Sequence, residues 1–286
     1  MNRREEGFLL LTGSFAKNRR PLTATELRIL KQCVLNGVPG PFSKEMEKQD
    51  LLDLGCPEPL AEKTMQLLDD EKQLQEYLEQ GRTCECFPLT RISPGYPGRL
   101  SVCLGDAAPG SLWMKGDLGL LGMPAIACVG SRELEQAHAD FARKVGLLAA
   151  REGYVLVSGN ARGADTLAQE SCLDAGGKVI CVVADTLQNK QPRKNVLYIS
   201  EGGYHLPFTA QRALSRNRLI HSLGLQTFVV RCHYGTGGTW KGTVANLKAG
   251  WSPVWCYADG SNGAKELAHR GATLLTLDEL PNIFPG

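Results

Sequence analysis

No apolar run in this chain approaches the ~20 residues that a membrane helix needs. The start, MNRREEGFLLLTGSF, is charged, but its apolar stretch is too short for a secretory signal and KNRR follows it. A cytoplasmic protein without a membrane partner is therefore expected. Charge of one sign is lacking too: 32 Lys and Arg against 30 Asp and Glu leave a net +2. Bulk charge neither demands nor excludes a nucleic acid, so any polyanion site has to come from local clusters of Arg and Lys.

A disulfide or metal framework is also missing. Of ten cysteines, Cys84 and Cys86 form a CxC pair, but no second pair of matching spacing follows. Cys128, Cys181, Cys232 and Cys256 sit in apolar, strand-like runs and read as small buried hydrophobes of a reducing compartment. The five histidines, His138, His205, His221, His233 and His269, show no metal spacing. No catalytic constellation stands out. Asp165 and Glu201 admit two readings, a carboxylate pair or, separately, a helix N-terminal residue and a partner for a nearby arginine. The expectation is a protein with no metal, no cofactor and no enzymatic activity.

What is present begins with 286 residues, enough for one large α/β domain plus a small one. The first 80 or so read as short helices: Thr23 to Glu26 has the spacing of a capping box, Ser43 starts a second segment, and one longer segment runs from Pro57 to Gly81. A Pro/Gly-rich linker follows, RISPGYPGRL and GDAAPGSLWMKGD. From Pro124 on, apolar runs of strand length alternate with helical segments. Buried strands in βα alternation predict a Rossmann-like, doubly wound, mostly parallel sheet. The expected division is a helical domain with linker over 1–88 and the α/β domain over 89–286.

In such sheets ligands bind beyond the carboxyl ends of the strands. Those ends are rich in glycine, hydroxyl and basic residues: Gly130, Ser131 and Arg132; then Ser158, Gly159, Arg162 and Gly163; then Glu201, Gly202 and Gly203; then YGTGGTWKGT at 234–243, with Gly237, Gly238, Thr239 and Lys241. The last is not a P-loop, because Lys241 lies between Trp240 and Gly242, and it stands too late for a dinucleotide fingerprint. Arg212 and Arg216 are four apart and so share a helix face, with Asn217 and Arg218 beside them. KQPRK at 190–194 reads as an exposed basic loop.

Five motifs, VGSR (129–132), SGNARGAD (158–165), SEGG (200–203), SRNRLI (215–220) and GTGGTWKGT (235–243), stand in the order found in the DprA/Smf family of bacterial DNA-processing proteins, which this chain resembles over about residues 90–275. GYPGRL and APGSLWMKG resemble the same family, and the N-terminal helices resemble its small SAM- or helix-hairpin-helix-like domain. The resemblance implies binding of single-stranded DNA, protection of incoming strands, their delivery to the RecA recombinase in transformation, and pairing into a homodimer. It implies that Gly130, Ser131 and Arg132 take a phosphate, that Arg216, Asn217 and Arg218 line the same pocket, and that Lys241 joins them. Arg132→Ala or Arg216→Ala is then expected to weaken strand binding without unfolding the protein. There are departures from the family pattern: Gln169 where a histidine is usual, GGTWKGTVAN for the late loop, FTAQRALS before the RNR, and no winged-helix-like tail in the sequence. These point to a divergent subgroup. The wider superfamily supplies the alternative, a nucleotide sensor or phosphoribohydrolase-like protein, although the glutamate position of the latter falls on Asn246.

Overall fold

The structure, a computed structural model, describes residues 1–15, 19–36 and 46–280. Five helices come first: α1 (Arg3–Thr12), α2 (Ala24–Asn36), α3 (Lys48–Asp53), α4 (Glu58–Leu68) and α5 (Glu71–Thr83). The Thr23–Glu26 capping box forms as expected, with Glu26 N donating to the Thr23 hydroxyl at 3.2 Å and Thr23 N to the Glu26 carboxylate at 2.7 Å. The expected start at Ser43 lies outside the described residues.

The single long segment from Pro57 to Gly81 is in fact two helices, α4 and α5, separated at Asp69 and Asp70. Aspartate favours caps over helix interiors because its side chain competes for backbone groups. The break lets the two pieces face different cores. Leu60, Ala61 and Leu67 of α4 join a small helical cluster with Leu22, Leu30 and Leu51, whereas Leu74, Tyr77 and Leu78 of α5 join the core of the sheet.

The expected linker is also folded. β1 (Phe87–Thr90) stands just before it, α6 (Gly98–Leu104) starts within it and β2 (Ser111–Gly116) lies in it. There follow β3 (Ala125–Val129), α7 (Gln136–Arg151), β4 (Val155–Ser158), α8 (Ala164–Asp174), β5 (Lys178–Val183), β6 (Val196–Glu201), α9 (Ala210–Leu223), β7 (Thr227–Val229), α10 (Gly237–Ala249), β8 (Val254–Tyr257), α11 (Asn262–His269) and β9 (Thr273–Leu275). The strand order is β1-β2-β6-β5-β4-β3-β7-β8-β9, antiparallel at β1–β2 and β2–β6 and parallel elsewhere. The α/β, mostly parallel architecture is as the alternation predicts.

Successive strand residues point to opposite faces. Ile126 and Cys128 of β3 therefore enter one core with Phe141 and Ala142 of α7 and Ala164 and Ala168 of α8, while Ala127 and Val129 enter the other with Leu219 and Ile220 of α9 and Trp240 of α10. The antiparallel edge is anchored by fully buried Trp113, whose ring lies 5.0 Å from that of Tyr77 and 4.9 Å from that of Tyr204. The Tyr77 hydroxyl accepts from Tyr204 N at 3.1 Å and meets His205 Nδ1 at 2.7 Å, tying α5 to the segment after β6. The ten cysteines are all free thiols, and burial pushes those of Cys181 and Cys232 up to about 12. No helix among the described residues is long and apolar enough to cross a membrane.

Candidate nucleic-acid interface

Chain order reverses across the sheet between β3 and β7, because β4, β5 and β6 lie on one side of β3 and β7 on the other. A doubly wound sheet opens a crevice at such a point, beyond the strands' carboxyl ends. A cavity of about 530 Å³ lies there. Its walls are the loop after β3, one face of α9, the segment after β7 and the first turn of α10.

The glycines are there for close approach. A Cβ on Gly130 would stand 2.5 Å from the Ala164 Cβ. Gly163 has φ +88°, and a Cβ there would stand 2.5 Å from the Ser131 carbonyl and 2.6 Å from that of Arg132. The loops after β3 and β4 thus touch backbone to backbone, and Ala164 N donates to Ser131 O at 3.2 Å. The buried Asp165 carboxylate shapes the second loop by accepting from Gly159 N at 3.1 Å and Ala161 N at 3.3 Å. Burial pushes this carboxyl up, against the opposing charge of Arg216. Burial likewise pulls the Arg216 guanidinium down, with Asp165 opposing the shift and the nearby Arg132 charge adding to it.

The start of α10 completes the site. Its N-cap, Thr236, makes no side-chain bond to the first turn, which therefore presents its positive end to the cavity. The turn is clamped instead from the sides: Asn217 Nδ2 donates to Gly238 O at 2.9 Å and the Thr239 hydroxyl to Gly130 O at 3.0 Å. Arg132 and Lys241 are exposed, line the cavity and enter no ion pair among the described residues. Glu133 and the buried Asp165 also line the cavity.

Of the residues singled out from sequence, Gly130, Ser131, Arg132, Arg216, Asn217, Gly237, Gly238, Thr239 and Lys241 come together around this cavity. Asp165 lines it as well, whereas Ser158, Gly159, Arg162, Gly163, Glu201, Arg212 and Arg218 do not. Ser158 and Gly159 are buried, and the Gly159 carbonyl accepts from Arg216. Arg162 is exposed outside the cavity, and Gly163 serves the loop contact described above. Arg212 departs from its expected role: it donates to the carbonyls of Ala184, Leu206 and Pro207 and to the Ser200 hydroxyl, at 2.6, 2.8, 2.9 and 2.8 Å. It faces a second cavity of about 420 Å³, which it shares with Glu201, Ser111 and the far side of Arg216. Arg218 also departs from expectation, because its guanidinium pairs with Glu201 and bonds Ala107 O, away from the first cavity. Glu201 thereby acts as an arginine partner and Asp165 as a helix N-terminal residue, the second of the two readings for each. In the basic loop, Lys190 pairs with Asp185 at 2.7 Å and residues 191–194 are exposed.

Phe208, Leu214, His221 and His233 line the cavity without having been singled out. His221 was findable, since it is four residues beyond Asn217 and so on the same helix face. Asn246 is fully buried and engaged with Ser252 and His221, so no carboxylate stands at the phosphoribohydrolase position.

The family model for DNA recombination-mediator protein A matches residues 88–283, well over half of the chain. The chain belongs to that family. Its relatives include the DNA processing protein DprA of Streptococcus pneumoniae, 28% identical over an alignment of 255 residues that covers 82% of this chain and 85% of that protein. Protein Smf of Escherichia coli is 30% identical over 190 residues, 60% of this chain and half of Smf. The X-ray structure of the Streptococcus pneumoniae DprA superposes with a TM-score of 0.69 at 26% identity, covering 93% of this chain and 99% of the DprA chain. The DNA processing protein A of Helicobacter pylori, whose structure concerns its single-stranded DNA binding mode, shares the fold with a TM-score of 0.58 at 23% identity over 69% of this chain and 94% of its own. Of the five motifs, VGSR, SRNRLI and GTGGTWKGT line the cavity and SGNARGAD adds Ala161 and Asp165, whereas SEGG borders the second cavity.

Proposed function

We propose that this member of the DNA recombination-mediator protein A family binds single-stranded DNA at the switch-point cavity and acts in DNA processing during transformation. The observation that carries the reading is the convergence of Arg132, Lys241 and the uncapped first turn of α10 on one cavity, with neither cation spent in an ion pair among the described residues. Backbone N–H groups at a helix start and forked or mobile cations suit phosphate oxygens. They read no sequence, so the binding has low sequence preference. The family's naming as DNA-processing proteins and the single-stranded DNA described for the Helicobacter pylori relative support the same ligand.

The proposal includes the wider division of labour: residues 1–88 as a helical unit, residues 89–286 as the strand-binding unit, a homodimer, and transfer of the strand to a RecA-type recombinase. A free mononucleotide is the rival occupant, because a cavity of about 530 Å³ also falls within the usual range of small-ligand sites. Binding of fluorescent oligo-dT across a salt series, with duplex DNA and mononucleotides as competitors, separates the two. Preference for the single strand with a steep salt slope supports strand binding. Failure to bind DNA, with thermal stabilisation by a mononucleotide, overturns it.

A further inference from the structure

The five motifs leave out the two residues just before the last of them, His233 and Tyr234. His233 lines the cavity, with its Nε2 3.4 Å from the Ser131 hydroxyl. The chain then turns. Thr236 N donates to His233 O at 3.3 Å, and Gly235, at φ +72°, takes the third position of the turn, where a type II turn requires a positive φ. Tyr234 stands at the second position, on the corner of that turn and two residues before Thr236, the N-cap of α10. It is outside the cavity lining and 54% exposed. The loop thus carries one side chain into the cavity and the next onto its outer lip.

A lone exposed apolar side chain needs no explanation, but this ring is held in place. Its centroid lies 5.1 Å from that of Trp240 at an interplanar angle of 82°. Trp240 is itself buried, with the Arg270 guanidinium 5.6 Å from its ring. Such an edge-to-face contact orients the tyrosine and leaves at least one of its faces unstacked. The loop beside it is open, since a Cβ on Gly235 or Gly237 would meet nothing within 4 Å. Every nucleobase has a π-face that stacks on an aromatic side chain whatever the sequence, and a ring fixed beforehand loses little freedom on binding. We infer that Tyr234 stacks one nucleobase outside the cavity, that of the nucleotide next to the one whose phosphate the cavity holds. This rests on the strand-binding reading above and lengthens the site by one nucleotide, through a contact that the cations do not supply. The rival role for the ring is a brace: an apolar residue ahead of the N-cap that packs on the fourth helical residue, Trp240, fixes the entry of the chain into α10.

The test measures the affinities of the wild type, Tyr234→Ala and Tyr234→Phe for oligo-dT and for an abasic strand of equal length and phosphate count. Tyr234→Ala should weaken oligo-dT binding about fivefold, the lower end of what one stacked base contributes. It should leave the abasic strand and the salt slope unchanged, because no phosphate contact is lost. Tyr234→Phe keeps the ring and should bind oligo-dT as the wild type does. Irradiation of wild-type protein with oligo-dT carrying 5-iodouracil should cross-link Tyr234, located by tandem mass spectrometry, a readout that does not depend on the alanine variant folding. An equal loss for both strands in Tyr234→Ala would assign the ring to bracing α10 and overturn the inference. Undiminished oligo-dT binding in a folded Tyr234→Ala, or cross-linking that spares Tyr234, would overturn it as well and leave phosphate binding standing. If the wild type binds neither strand, the strand-binding reading fails and the stacking contact fails with it.

Discussion

Removing the Arg132 side chain isolates the phosphate term of the site. The side chain is exposed and unpaired, while the loop around it is held by backbone contacts to Gly163 and Ala164 that do not involve the guanidinium. Arg132→Ala should therefore leave stability within about 0.5 kcal/mol of wild type. The loss on binding is that of hydrogen bonds to a charged group, about 1.5–3 kcal/mol in a shielded site. An exposed cation is partly screened at physiological salt, where the Debye length is about 8 Å, so the lower end applies and affinity should fall about tenfold. The salt dependence gives a second, independent number. Each phosphate neutralised on a single strand contributes about −0.7 to the slope of log K against log salt, so the variant's slope should be shallower by about 0.7. Fluorescence anisotropy with labelled oligo-dT between roughly 50 and 200 mM salt resolves both quantities. Wild-type affinity and slope in a normally folded variant would refute the assignment of strand phosphates to this cavity.

Arg216→Ala should behave differently from Arg132→Ala, contrary to the expectation that both leave the fold intact: its guanidinium bonds the carbonyls of Gly159 and Val182, and its loss leaves buried Asp165 without its nearest opposing charge. The expected destabilisation is about 3 kcal/mol, read by urea unfolding, with partial rescue in Arg216→Ala/Asp165→Asn; equal stability of variant and wild type would discount the pairing. His221 makes stability pH-dependent, because the unfolded histidine titrates near 6.5 and the buried ring near about 3. The contribution is complete above pH 6.5 and declines as pH falls toward 3; at pH 5 it is smaller by about 2 kcal/mol, a loss that should be absent in His221→Phe. Tyr77→Phe removes the bonds to Tyr204 N and His205 Nδ1 and should cost about 1–2 kcal/mol, measurable as a lower urea midpoint with an unchanged slope.

Much of the α/β architecture was legible because buried parallel strands are written as short apolar runs, such as AIACVG and KVICVV, bounded by glycine loops. The antiparallel edge was not. SLWMKG sits among prolines and glycines that read as a linker, and its pairing with β6 depends on Trp113 finding Tyr77 and Tyr204, partners far away in sequence. The break between α4 and α5 was equally hidden: a helical periodicity runs through both, and only the separation of two cores requires it to stop at Asp69.

The site divides in the same way. Local chemistry in the sequence determined which loops carry glycines, hydroxyls and cations, and the βα alternation determined that these loops gather at one edge of a sheet. Tertiary structure alone decided which cations are free. Arg212, Arg216 and Arg218 are alike on paper, but Arg212 is consumed by three carbonyls and a hydroxyl and Arg218 by Glu201, while Arg216 stays in the wall. The direction in which a long side chain leaves a helix is set by acceptors brought in from other strands. The same holds for His221, whose buried ring meets Thr227 and Asn246, 6 and 25 residues further along the chain. Composition and spacing act over a few residues; the allocation of hydrogen bonds and charge is a property of the packed whole.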